Sequence, residues 1–110
     1  MKIPGSRQAV IPEAKLTDYL LSESHPVGKS KARFLRTLGF DQKNADQLRQ
    51  ALLSIAHTED VTETQDTAHG VKYIVIGQVT SPRGEQVRLQ TVWIIETGQE
   101  APRFVTADPV

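Results

Sequence analysis

A chain of 110 residues, 38% hydrophobic and 24% charged, has enough apolar side chain for one core and lies far from disordered or fibrous compositions. Its 13 basic and 13 acidic residues cancel, so binding to nucleic acid or an anionic membrane would need a local patch and not a global field. The lack of cysteine excludes disulfides, thiolate nucleophiles and zinc–thiolate sites, and no stretch approaches the ~20 apolar residues of a membrane span.

Residues 1–9 are polar and contain Pro4 and Gly5, which predicts a flexible N-terminal arm ahead of a single domain over 10–110. Pro12 suits the first turn of a helix, and Leu16, Tyr19 and Leu20 recur at helical spacing, predicting a helix over 12–21. Ser22 to Gly28 reads as a loop. A second helix is expected over 29–38, with Ala32, Leu35 and Leu38 on one face. Gly39 is placed to end it in the left-handed region, with Phe40 folding back. Asp41 or Asn44 then caps a third helix over 44–56, whose stripe is Leu48, Ala51, Leu52 and Ile55.

After His57 the period changes. The threonine-rich stretch 61–67 alternates weakly, as a short edge strand does. His69-Gly70 turns into a strand over 71–79, and Ser81-Pro82-Arg83-Gly84 has the residues of a type I turn. The strand over 86–96 puts Leu89, Trp93 and Ile95 on one face and Arg88, Gln90 and Ile94 on the other. A last strand follows Pro102. Helices followed by consecutive hairpins predict an α+β fold, with three N-terminal helices packed on a C-terminal antiparallel sheet of three to four strands. The helices are expected on the more apolar face, leaving Lys72, Gln78, Arg88 and Gln90 on an open one.

The most unusual segment is His25-Pro26-Val27-Gly28-Lys29-Ser30-Lys31-Ala32-Arg33, one histidine and three cations leading into a helix. Its Gly-Lys-Ser triplet matches the end of a phosphate-binding loop, but Glu23 stands where the first glycine belongs and no strand precedes it. Two readings stay open: a solvated helix start, or a local cationic site for a phosphodiester with His25 as a proton-transfer group. His57 and His69 match no compact zinc spacing, and Glu59, Asp60, Glu63 and Asp66 read as a solvated edge. Trp93 reads as core, and no Gly-x-Ser-x-Gly elbow occurs.

The segments 25–40, HPVGKSKARFLRTLGF, and 91–109, TVWIIETGQEAPRFVTADP, with Gly70-Val71-Lys72-Tyr73 between them, resemble a group of small bacterial domains that look like toxin modules. Their layout is similar to that of the barnase, colicin and RelE ribonucleases. The resemblance implies a metal-independent endoribonuclease, without a cofactor, in which the 2′-OH of RNA attacks the adjacent phosphate. It implies His25, Arg103 and Thr106 as catalytic residues and Lys29, Lys31, Arg33, Arg88 and Gln90 as substrate-binding ones. Because Lys31 and Arg33 are two apart on a helix, at most one of them faces the site. The implied partners are RNA at a local site and a small antitoxin or immunity protein, with no DNA and no membrane. The implied location is the cytoplasm, its own or that of a target cell. Two departures favour the alternative, a non-catalytic interaction domain. Gln90 stands where the group carries a basic residue, with Arg88 two residues earlier as a substitute, and Asp108 replaces an aromatic residue able to stack on a base.

Overall fold

The computed structural model describes residues 1–110. A single turn, α1 (Glu13–Lys15), runs directly into a π-helical turn over Leu16–Leu20, and α2 (Lys29–Thr37) and α3 (Ala45–Thr58) follow. Four strands complete the chain: β1 (Val61–Thr67), β2 (Gly70–Thr80), β3 (Gln86–Glu96) and β4 (Arg103–Pro109). They form one antiparallel sheet in the order β1-β2-β3-β4.

The expectation of three N-terminal helices on a sheet of three to four strands needs correction, because the helical half is few and mixed elements. Only α2 and α3 are regular α-helices; short 3₁₀ turns occupy Ser6–Gln8 and Gln42–Asn44, and the segment expected as the first helix is mostly π. The reason lies in its leucines. Leu16, Leu20 and Leu21 are all fully buried, which the 100° step of an α-helix does not allow on one narrow face. The wider turn, closed by Leu21 N–H donating to the Leu16 carbonyl at 2.9 Å, brings all three to the core.

Local chemistry sets the other ends. At the end of α2, Gly39 adopts φ 97°, Phe40 N–H donates to Leu35 O and Gly39 N–H to Arg36 O, the double closure of a Schellman motif. Asp41 and not Asn44 is the capping residue. Its carboxylate accepts from Lys43 N–H at 2.8 Å, and the Asn44 side chain accepts from Asp41 N–H at 2.8 Å.

Leu48, Leu52 and Ile55 of α3 pack with Val75, Val79, Leu89 and Trp93 of the sheet, and Trp93 meets Phe104 edge-to-face at 5.3 Å. Trp93 Nε1–H donates to Thr91 Oγ1 at 2.9 Å, and Thr91 donates onward to Val75 O at 2.7 Å, so the buried indole is satisfied. Residues 1–9, read as a loose arm, carry Ile3 into the core, and Met1 O accepts from Val61 N–H. Val10 then pairs in parallel with Arg103, accepting from Phe104 N–H at 3.0 Å at the outer edge of β4.

Thr91→Val keeps the shape but leaves the Trp93 N–H without an acceptor. It is expected to lower unfolding stability by about 1–3 kcal/mol, measured by urea denaturation followed through Trp93 fluorescence.

Candidate functional site

The π turn fixes where the polar residues of its outer side point. With its leucines turned inward, Tyr19 reaches β4, where its hydroxyl and Thr106 Oγ1 are 2.8 Å apart. A bulge between Val92 and Trp93 resets the β3–β4 register and sets Thr106 opposite Val92. Lys15, four residues before Tyr19, lies with its ammonium 4.9 Å from the Tyr19 ring centroid.

The loop before α2 folds onto this pair. Ser22 Oγ accepts from the backbone of Ser24 and His25, and His25 Nδ1 accepts from Val27 N–H and Gly28 N–H, both at 3.0 Å. Two donors on Nδ1 fix the proton of the neutral ring at Nε2, which is the nitrogen left for a ligand. The ring stands edge-on to Tyr19 at 5.1 Å. Gly28 lets the loop come this close, because a Cβ there would lie 2.1 Å from Tyr19 O.

Together Lys15, Asp18, Tyr19, His25 and Arg103 line an open depression of about 380 Å³. Its electrostatics are unusual. Burial first, and the Arg103 guanidinium second, hold the Lys15 amine below the usual lysine range. Arg103 itself is anchored by Glu96 at 2.6 Å. Two cations thus stand close together at one wall, a local feature that the zero net charge conceals.

Of the residues expected to form a site, His25 and Arg103 meet in this depression and Thr106 reaches it through Tyr19. The others do not join them. Lys29 and Arg33 line a separate hollow with Glu23, Arg36 and Thr37. Lys31 turns to the other side of α2 and pairs with Asp108, so neither it nor Arg33 faces His25. Gln90 lies opposite Ile76 and Asp108, and Arg88 lies opposite Gln78 towards the far end of the sheet. Lys15 and Tyr19 were the residues that sequence reasoning missed. Tyr19 shares the spacing of the apolar stripe, and the signal that sets it apart is its hydroxyl and the i, i+4 cation before it. No group of three His, Asp or Glu side chains stands close enough to hold a metal ion, and no helix is long and apolar enough to cross a membrane.

Removing the neighbouring like charge makes the Lys15 ammonium easier to keep, so Arg103→Gln is expected to raise its titration midpoint, read from the lysine Cε resonance by NMR. The accompanying sign for stability also follows. Because the folded-state value is depressed, the penalty is present in full below that value and is relieved as pH rises through it.

The fold is similar to that of a chain in a contact-dependent growth inhibition toxin–immunity protein complex from Klebsiella pneumoniae 342. The TM-score is 0.72 at 15% identity, over 96% of each chain. No curated protein matches the sequence. The family model described as Domain of unknown function (DUF6883) matches residues 2–110, and the chain belongs to that family.

Proposed function

We propose that this domain is a toxin-type, metal-independent endoribonuclease acting at the depression formed by Lys15, Tyr19, His25, Arg103 and Thr106. The observation that carries the reading is the meeting of Lys15 and Arg103 beside a histidine whose Nε2 is left out of the loop's hydrogen bonds. Charge developing on the oxygens of a phosphodiester bound there would meet donors already in place, the Arg103 guanidinium and the His25 Nε2–H. The likeness in fold to a chain of a toxin–immunity complex supports a toxin-like module with a small protein partner.

In this scheme the 2′-oxygen attacks phosphorus and the P–O5′ bond breaks, leaving a 2′,3′-cyclic phosphate and a 5′-hydroxyl. Lys15, with a larger neutral fraction than a free lysine, takes the 2′-OH proton and returns it to the departing 5′-oxygen. Arg103 and the His25 Nε2–H bind the non-bridging oxygens. Tyr19, held by Thr106, keeps the Lys15 stem and the His25 ring in place, so Thr106 is a positioning residue and not a catalytic one.

A second reading, a non-catalytic interaction domain, is favoured by the Glu96–Arg103 ion pair, which already engages the central guanidinium. One experiment divides the two. Expressed in a bacterium without any partner, the chain is expected to arrest growth, and the purified protein is expected to cleave cellular RNA in the presence of a chelator. Normal growth with intact RNA would sink the enzyme reading. Lys15→Ala, His25→Ala and Arg103→Ala are each expected to cut turnover by about 10²–10⁴-fold while the circular-dichroism melt is kept.

A further inference from the structure

The depression beneath His25 does not end at Arg103. Lys15 and Arg103 also form one wall of a second hollow of about 250 Å³ on the open sheet face, bounded by Lys72 and His69 and floored by Ile94 and Val105. The two hollows adjoin at these shared side chains, and we treat them as one groove. The sheet register sets its direction. Lys72 of β2, Ile94 of β3 and Arg103 of β4 lie directly opposite one another, so the groove crosses the strands. At about 4.8 Å per strand, the Lys72 and Arg103 backbones stand roughly 10 Å apart with an apolar side chain between them. Glu96, the carboxylate that lines this hollow, is taken by Arg103, and Lys72 makes no ion pair.

Cations alternating with an apolar floor, in a line one side chain wide, suit a polyanion whose charges alternate with flat apolar groups. An acidic protein surface offers no such alternation. We infer that Lys72 and His69 form a second phosphate subsite, so that the ligand is a single nucleic-acid strand of at least two phosphodiesters crossing from the His25 side of β4 to the β1–β2 turn. This rests on the reading of the His25–Arg103 depression as a phosphodiester site.

The test uses the full chain and non-cleavable 2′-O-methyl oligonucleotides of two and of six residues, followed by fluorescence anisotropy. The six-mer is expected to bind about tenfold more tightly than the dimer, and Lys72→Ala or His69→Ala is expected to erase most of that gain. In Lys72→Ala the slope of log affinity against log salt for the six-mer should fall by about 0.7, the loss of one phosphate contact. Lys72→Gln, which keeps the side-chain length, should behave as Lys72→Ala does. Lys15→Ala should weaken both oligonucleotides. If the six-mer binds the Lys72 and His69 variants as tightly as the wild type, the second subsite is overturned while the phosphodiester reading stands. If neither oligonucleotide binds, both fall together. Binding of poly-glutamate in place of the oligonucleotides would assign the groove to an acidic polypeptide and likewise overturn the inference.

Discussion

Three leucines in six residues, Leu16, Leu20 and Leu21, are all fully buried, and an α-helix would spread them over an arc of about 140°. The π turn that resolves this conflict decides much else. It directs Tyr19 onto Thr106, which ties the helical half to the edge strand β4. It also sets Lys15 beside Arg103 and provides the surface on which the His25 loop rests. A local irregularity in the helical half thus brings Lys15, Tyr19 and the His25 loop to the strand that carries Arg103 and Thr106. Such insertions often coincide with functional positions.

Burial on the other side of the molecule is ordinary. Trp93 sits at the centre of the core, with its indole N–H satisfied through Thr91 and its ring against Phe104. Nothing in that core is left for chemistry. The polar groups without an internal role lie instead on the open face and along β4, where the sheet presents Lys72, Ile94 and Arg103 in one row. Division of labour between the two faces follows from the alternation of side chains along β2 and β3.

Much of this was legible in the residues. The stripe of α3, the glycine closure of α2 and the alternation of β3 all rest on periodicity or on backbone chemistry that acts within a few residues. The first helix was misread because its period is neither 3.6 nor 2, and a single tyrosine among leucines looks like one more core residue. For the site, His25 and Arg103 could be named, but pairing across 78 positions of chain is tertiary information. The fate of the other cations was equally hidden. Lys31 is neutralised by Asp108, the very residue that interrupts the resemblance at the C-terminus, and its side chain is only 17% exposed. What looks like a lost aromatic is, in this chain, the counter-ion of a half-buried lysine.

The sheet has two edges and they are not equivalent. Val10 occupies the start of β4, and Tyr19 and Lys31 cover Thr106 and Asp108 further along it, whereas β1 is exposed along nearly its whole length. Growth of this sheet by backbone pairing is therefore confined to the β1 side. A second copy docking β1 against β1 would bring Glu63 and Asp66 towards their own images, so like charge opposes self-pairing.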